Sequence, residues 1–584
     1  MSFLQQSLAA LDPSVLAILD ISNTARCCIY CRAHHEKTHA TYYKPATGRA
    51  QRDPQCDEDL LFQCASLFKV FIAACLILII DKLSSDPSSD PSTTVGYRKL
   101  EGAWDRPFTD VFNDLVEVED QMRPLPGDPS VKQLLLHYNG VYDINHILLA
   151  PDGTPLQSLH DVIDRISRYA NDTRQQPAEG ENQIIYSNAN YILLALLVDK
   201  ASGSLNEFLK EYIFKPFRME RTFLCLEDLL RSRSNESQRQ PHVVSSDRRR
   251  RIFRPTTTLG LSDIVEIAWL GPYTSAADLG RFFEGLLSAK DGKTVGRFDK
   301  AVFESLGSGR SLINKQAGYT PCGLYTSLNS TGPGSHSLNR MISPDSGVNT
   351  HILGKTSSGE EISAFYLAGS ATGWASTVYF LPSKRTFVIV LTNSSGPLDA
   401  SDLISRLYLQ EIFDLRPPKA IRWDGSSYLP SWSPVTSAER YVALATQIFD
   451  ENAIKVKELE QLDAQPDTPT SSCPDLPGKY FCSRNGQCLD ITDWKGEDNE
   501  KPEGVLRIVI QSGLPGTKWC QKLRFVKKGE KFRICSPGTF SVLAIDCFGA
   551  WKNLEFEVER DGGGVKSLSR RGEHLNDIFI RVKP

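Results

Sequence analysis

The stretch "LFQCASLFKVFIAACLILIIDK", residues 61–82, restricts the fold more than any other in the chain: eleven consecutive apolar residues, Val70 to Ile80, follow Ser66-Leu67-Phe68-Lys69. A bilayer-spanning helix needs about 20 apolar residues. This run stops at Asp81 and Lys82, so it is expected to be a helix buried in a protein core. Residues three apart share a helix face, and Ser66 and Lys69 have that spacing at the helix start. Apolar surroundings penalise a charged amine, the usual route by which a lysine becomes a base. A helix N-terminus also offers N–H groups to developing negative charge. An SxxK pattern occurs on many ordinary core helices, so the segment needs companions before it counts as chemistry.

The chain has 584 residues, 41% hydrophobic and 23% charged, with a formal net charge of -4. That length predicts two to four domains, and the charge lacks the basic excess of a nucleic-acid binder. The arginine run Arg248 to Arg251 lies in a polar insertion, "RSRSNESQRQPHVVSSDRRRRIFRP", and reads as a solvated loop. Asp12 and Pro13 interrupt the N-terminal apolar stretch, so no secretory signal is expected and the protein reads as cytoplasmic, with no membrane span. The fourteen cysteines are then mainly reduced thiols. Six of them (Cys473, Cys482, Cys488, Cys520, Cys535, Cys547) fall near the C-terminus and would be disulfide candidates in a secreted chain. Cys27, Cys28 and Cys31 with His34 and His35 lack the second CxxC or spaced His pair of a zinc site. They are read as a β-strand, and no metal or cofactor is expected. The sequons at Asn171, Asn235, Asn329 and Asn393 carry weight only in a secreted protein.

Before the SxxK segment, "SVLAILDIS" and "CCIYCRA" read as strands, and "SSDPSSDPSTT" after it as a polar insertion. From about 130 to 290, "SVKQLLLH", "LHDVIDRISRYA", "NANYILLALLVDKAS" and "SAADLGRFFEGLLSA" carry the three-and-four spacing of helices. "ISAFYLAG", "STVYFLP" and "TFVIVLTN" then read as adjacent antiparallel strands. Pro417, Pro418, Pro430 and Pro434 mark a break, Thr436 and Glu439 form a capping-box pattern opening a helix to about Leu462, and "DAQPDTPTSSCPD" reads as a linker. Beyond it, "LRIVIQ", "KLRFVK", "FSVLAID", "LEFEVE" and "DIFIRVK" predict a small all-β domain, sandwich or barrel. The expected division is 1–415, 416–473 (a linker with a helix) and 474–584.

Two further motifs join SxxK. In "IIYSNANYILLALLVDKASG", Tyr186 and Asn188 precede an amphipathic helix; a phenol can relay the serine proton, and an amide can orient the lysine and contact substrate. In "LAGSATGWASTVYFLP", Gly369 and Ser370 lie in a strand, and a backbone N–H from such a strand could join that of Ser66 in an oxyanion hole. Taken singly, each could be ordinary core.

The set resembles the serine β-lactamase, DD-peptidase and esterase group, in its class C-like branch, over about residues 15–415. "LFQCASLFKVF", "SVKQLLLHYNGV", "YSNANYILLALLVDKASG", "FKPFRMERT", "TSAADLGRF" and "VIVLTNSSG" occur in the family's order. The resemblance implies a mixed α/β fold: a sheet built from both ends of the domain, flanked by helices, beside an all-helical lobe, with the site between them. It also implies that Ser66 is the acylated nucleophile, Lys69 and Tyr186 the proton-transfer pair and Asn188 a polar anchor. The N–H groups of Ser66 and Ser370 would form the oxyanion hole, with Leu367, Gly369 and Trp374 contacting substrate. Related multidomain hydrolases append a lipocalin-like β-barrel, a loose match to the C-terminal part.

One departure is informative. Two residues before the glycine of the third motif the family usually has Lys or His; here that position is Leu367, followed by Ala368. The cation that recognises a substrate carboxylate is missing. The expected activity is therefore a serine hydrolase or acyltransferase acting on an ester, thioester or lactone. Its substrate would be a small acyl compound, free or on a carrier protein, in natural-product metabolism of the kind found in fungi. A peptidase, amidase or β-lactam hydrolase is the alternative, and a catalytically silent binding protein the second.

Overall fold

The computed structural model describes residues 3–54, 59–85, 96–125, 127–138, 162–163, 166, 184–224, 228–229, 240–252, 263–314, 317–330, 339, 353–415, 422–423, 427–428, 437–463, 474–483, 487–493, 506–511, 518–527, 531–534, 555–562, 564–572 and 575–582. Its centre is a nine-stranded antiparallel sheet. The strands are β1 (Arg26–Ala33), β2 (Glu36–Tyr43), β3 (Gln51–Arg52), β4 (Ser311–Asn314), β5 (Ala317–Thr320), β6 (Gly323–Ser327), β7 (Ser363–Ala371), β8 (Trp374–Leu381) and β9 (Thr386–Thr392). They lie in the order β3-β2-β1-β9-β8-β7-β6-β5-β4. The N-terminal strand β1 pairs with the late strand β9, Cys27 opposite Thr392 and Arg32 opposite Phe387, so both ends of this unit build one sheet. Cys27, Cys28 and Cys31 are buried free thiols along β1.

Both faces of the sheet are covered, so β8 and β9 are buried along their whole length instead of alternating between core and solvent. Phe387, Ile389 and Leu391 of β9 face one core, with Phe282 and Phe283 of the helix Ala276–Lys290 and the Val70–Ile80 run. Val388 and Val390 face a second core, with Val15, Ile18, Leu403 and Leu407. Lys69–Leu78 is an α-helix, all ten residues buried, that passes into a π-helical turn at Ile79–Leu83. It is the central helix of the first core, as the run length requires. Among the described residues no helix is long and apolar enough to cross a membrane.

Two expectations change. "SVLAILDIS" is not a strand but part of a helix, Asp12–Ser22. Its buried residues Val15, Ile18, Leu19 and Ser22 follow helical spacing, Pro13 occupies the first turn where a missing N–H costs nothing, and Asn23 closes the end in a left-handed conformation with φ 50°. The helix Ser437–Asp463 is also more than part of a linker. Tyr441, Ala445, Ile448 and Phe449 are buried in the second core, and Asn452 donates to the carbonyl of Pro397 at 2.8 Å. Glu439 of the capping-box pattern lies in this helix; Thr436, the four prolines, "FSVLAID", most of "LHDVIDRISRYA" and the linker sequence fall outside the described residues.

Near the C-terminus, eight strands, β10 (Gly478–Phe481), β11 (Cys488–Asp493), β12 (Leu506–Gln511), β13 (Lys518–Lys527), β14 (Lys531–Ile534), β15 (Glu555–Asp561), β16 (Gly564–Gly572) and β17 (Leu575–Arg581), follow one another around a closed antiparallel barrel. Closure runs through β10 and β17, Phe481 opposite Ile580. The barrel has its own core, including Tyr480, Leu489, Ile508, Phe532, Leu568 and Phe579, and it leaves no unpaired sheet edge.

A pH effect follows from the short strand His242–Val244, which pairs in parallel with Ser394–Ser395 just after β9. Burial, helped by the charge of Arg250, lowers the His242 pKa to about 4. The unfolded chain binds this proton near pH 6.5 and the folded chain does not. Stability from this group is therefore complete above about pH 6.5 and is lost as pH falls toward 4. Denaturation midpoints should fall over that window less steeply in His242→Gln than in the parent; equal slopes would refute the assignment.

Candidate active site

The first element of the site is a backbone turn. Cys64 is tied by its N–H to the carbonyl of Pro272 at 3.0 Å. Ala65 then takes the left-handed conformation, φ 48°, which costs a non-glycine residue about 1–2 kcal/mol. This throws Ser66 outward at the start of a 3-10 turn, Ala65–Phe68, and the α-helix proper begins only at Lys69. At three residues per 3-10 turn, positions i and i+3 eclipse, so Lys69 lies directly beside Ser66. From Leu60 to Ile80 every residue is buried except Ser66, which is partly open to solvent.

Three polar side chains converge on that opening. Lys69 Nζ donates to Ser66 Oγ at 3.1 Å, and the Tyr186 hydroxyl donates to the same oxygen at 2.8 Å. Lys69 Nζ also donates to Asn188 Oδ1 at 2.7 Å. Lys69 Nζ lies 5.2 Å and 5.4 Å from the ring centres of Tyr186 and Tyr191. Tyr186 lies just before Ser187, the N-cap of the helix Asn188–Ser202, so the start of this helix faces the start of the helix that follows Ser66. The chain thus brings together Ser66, Lys69, Tyr186 and Asn188, four residues drawn from two segments more than a hundred positions apart.

The third element is β7. A Cβ on Gly369 would lie 2.2 Å from the carbonyl oxygen of Cys64 and 3.1 Å from the N of Ser66, so the strand backbone is pressed against the Cys64–Ser66 turn, and Ser370 follows on the same strand. Ser376 Oγ on β8 bridges the two, 3.0 Å from the carbonyl oxygen of Cys64 and 3.2 Å from that of Gly369. Leu367 shares the face of Gly369 and is packed in the first core, with Gly323 close against it. Among the described residues of the arginine insertion, the cations of Arg248, Arg249 and Arg250 are engaged elsewhere. Arg248 is paired with Asp450, Arg249 with Asp247, and Arg250 donates to the carbonyl of Lys44. Trp374, expected to meet substrate, is only 2% exposed, its ring packed edge-on against Phe62 and Tyr273. That is a core position, because the tight β7–β8 connection turns the residue inward.

Several supporting residues were not singled out from the sequence. Gly271 has φ +68°, and a Cβ there would come within 2.5 Å of the Ala65 carbonyl oxygen, so only glycine lets the chain pass behind the Cys64–Ser66 turn. His137, in the quoted "SVKQLLLHYNGV", stacks on Tyr186 with ring centres 4.6 Å apart. A polar residue directly after a short amphipathic helix was the available signal.

A family model described as Beta-lactamase matches residues 30–411. Over 168 residues, 28% of this chain and 30% of the relative, the chain is 29% identical to penicillin-binding protein 4* of Bacillus subtilis. Over 176 residues, 29% of this chain and 28% of the relative, it is 28% identical to the unguisins hydrolase ungD' of Aspergillus campestris. The chain therefore spans less than a third of the length of these curated relatives. The octameric penicillin-binding protein homologue from Pyrococcus abyssi has a similar fold, with a TM-score of 0.50 at 13% identity over 98% of this chain and 99% of that one.

The contact between strand and turn is directly testable. In Gly369→Ala the new methyl meets backbone atoms of Cys64 and Ser66, which cannot rotate away, and overpacking of this kind costs about 1–3 kcal/mol. A lower melting temperature and a slower reaction of Ser66 with a fluorophosphonate are expected together. A variant matching the parent in both would show that the strand tolerates displacement.

Proposed function

The chain belongs to the Beta-lactamase family, and from that premise we propose that it is a serine hydrolase that forms an acyl-enzyme on Ser66 with an ester, thioester or lactone. The observation that carries the reading is the single solvent-open residue of a buried segment, Ser66, with Lys69 and Tyr186 both on its Oγ. No packing requirement explains that polar set in an apolar core.

The chemistry follows the geometry. Attack by Oγ on the acyl carbon forms the new C–O bond as the serine proton passes to the Tyr186 oxygen and the phenol proton moves on to Lys69, which enters this step as the neutral amine. The carbonyl oxygen, now negative, is received by the N–H groups of Ser66 and Ser370. As the tetrahedral adduct collapses, the bond to the leaving group breaks and the same pair returns the proton to it. Asn188 keeps Lys69 in place through the 2.7 Å hydrogen bond. Water entering in the leaving group's position, activated by the same pair, releases the acid; an alcohol or amine in that place makes the reaction acyl transfer. A relative named as a hydrolase supports the first outcome.

Substrate class turns on Leu367. An anionic carboxylate entering this cleft has no cation at the usual position, and an unpaired buried charge costs several kcal/mol. A neutral acyl chain instead gains about 25 cal/mol per Å² of apolar surface buried. The same proposal includes a catalytic unit to residue 415 whose second core also takes in the helix Ser437–Asp463, a lipocalin-like barrel from 474, a small acyl substrate free or on a carrier protein, and a cytoplasmic role in natural-product metabolism. Peptide or β-lactam cleavage is the second reading, motivated by the relative named as a penicillin-binding protein.

Two measurements test this. Ser66→Ala should keep its circular dichroism spectrum and lose both fluorophosphonate labelling and ester turnover; unchanged turnover would end the acyl-enzyme reading. In the parent, kcat/KM for neutral aryl esters or thioesters should exceed that for penicillins, cephalosporins or D-Ala-D-Ala peptides by about a hundredfold, the equivalent of about 2.8 kcal/mol. A β-lactam turned over as well as the best neutral ester would overturn the role given to Leu367.

A further inference from the structure

His137 occupies a position that local folding would give to another residue. It follows the five-residue helix Val131–Leu135, whose start is closed by a capping box between Ser130 and Gln133. At the other end Leu136 is the cap and His137 has φ 56°. The N–H of His137 bonds the carbonyl of Leu134 at 3.1 Å, and that of Tyr138 bonds the carbonyl of Gln133 at 2.8 Å. This pair of bonds is a Schellman closure, whose left-handed position strongly favours glycine, then asparagine. A histidine there pays the left-handed penalty of about 1–2 kcal/mol, and the helix end gains nothing from its ring.

The ring has other uses. His137 is 3% exposed, and it holds the chain on both sides of Tyr186. Its carbonyl accepts the N–H of Ile185 at 3.1 Å, and its Nδ1 accepts the N–H of Ser187 at 3.2 Å. Its imidazole lies on the Tyr186 ring, centres 4.6 Å apart and planes at 33°, and Tyr319 meets it edge-on at 5.1 Å. A backbone N–H can only donate, so Nδ1 carries no proton and the ring is the neutral tautomer protonated at Nε2. Asn190 Nδ2, 3.4 Å from the same nitrogen, fits that assignment.

We propose that His137 is a positioning residue for catalysis: held on a capped helix end, it clamps residues 185–187 and so fixes the Tyr186 hydroxyl at 2.8 Å from Ser66 Oγ. This rests on the acyl-enzyme reading of Ser66 and Tyr186. A proton-transfer group must stay within hydrogen-bond reach of the atom it serves, and Tyr186 stands ahead of its helix, where the helix backbone does not hold it. The clamp adds a constraint from the opposite element, at the cost of strain stored at one residue.

The test uses the full chain and a neutral aryl ester, with His137→Gly and His137→Asn each made alone and with Tyr186→Phe. Glycine suits the left-handed cap, and asparagine both tolerates it and sets Oδ1 near the place of Nδ1. His137→Gly is expected to lower kcat at least about tenfold with KM within about twofold, the mark of an effect on the reacting state. His137→Asn should recover part of that loss by restoring the acceptor for Ser187. With Tyr186→Phe, which has no hydroxyl to place, His137→Gly should change kcat by less than about twofold, since residues acting through one group are not additive. Full additivity, or a His137→Gly enzyme with parental kcat, would overturn the clamp while leaving Tyr186 in its role. A Tyr186→Phe enzyme with parental kcat would remove the role of Tyr186 and the clamp with it. If His137→Gly fails to fold, His137→Asn and its double variant decide by the same comparison.

Discussion

Everything at the candidate site depends on how closely backbone approaches backbone around the turn Cys64–Ser66. On one side the chain passes at Gly271, where a methyl would come within 2.5 Å of the Ala65 carbonyl oxygen; on the other β7 passes at Gly369, where a methyl would come within 2.2 Å of that of Cys64. Between these two glycines the left-handed Ala65 is held in a conformation that an isolated chain would leave. The strain is local, and tertiary packing sustains it. Its result is that Ser66, just ahead of a helix whose ten residues are all buried, faces outward while its neighbours face in.

The same compression sets the polar chemistry. Lys69 can stand beside Ser66 because the turn is 3-10 and eclipses residues three apart. The helix that begins at Asn188 arrives from the opposite side with its polar residues, Asn188 and Asn190, in its first turn and an apolar remainder buried against the helix that follows Ser66. Each of three elements therefore contributes through an end or a bare stretch of backbone: two helix starts and a glycine in a strand. Interiors packed at crystal-like density transmit such placements rigidly, so the distances at Ser66 Oγ belong to the packing as much as to the side chains that make them.

Much of this was legible in the sequence, and what was not has identifiable physical causes. The length of the Val70–Ile80 run pointed to a buried helix, and the Ser66, Lys69, Tyr186 and Asn188 set was legible through the resemblance of the ordered motifs to a known family. "SVLAILDIS" was misread because β-branched composition outweighed a helical spacing that Pro13 and Asn23 punctuate. The burial of Ser437–Asp463 was hidden because its apolar stripe is diluted by charges on its other faces. Closure of the barrel pairs Phe481 with Ile580, a contact about a hundred residues apart that no local pattern announces. The left-handed turn at Ala65 was illegible for a different reason: alanine has no preference for it, and it exists only because Gly271 and β7 leave no other path.

The residue that breaks the family pattern, Leu367, sits apart from the contacts that surround Ser66 Oγ. Leu367 sits on the same strand face as Gly369, two residues away, and packs in the first core with Gly323 against it. A lysine or histidine there would have to leave that packing to reach a substrate. Leucine joins the packing instead, so the exchange of a cation for an apolar side chain adds to the core that holds β7 against the Cys64–Ser66 turn. The groups around Ser66 Oγ depend on Gly369, Ser376 and the two helix starts, none of which needs a charge at position 367. The packing of Leu367 and the contact of Gly369 with the Cys64–Ser66 turn are thus separate contacts of one strand, and a substitution at the first leaves the backbone approach at the second in place.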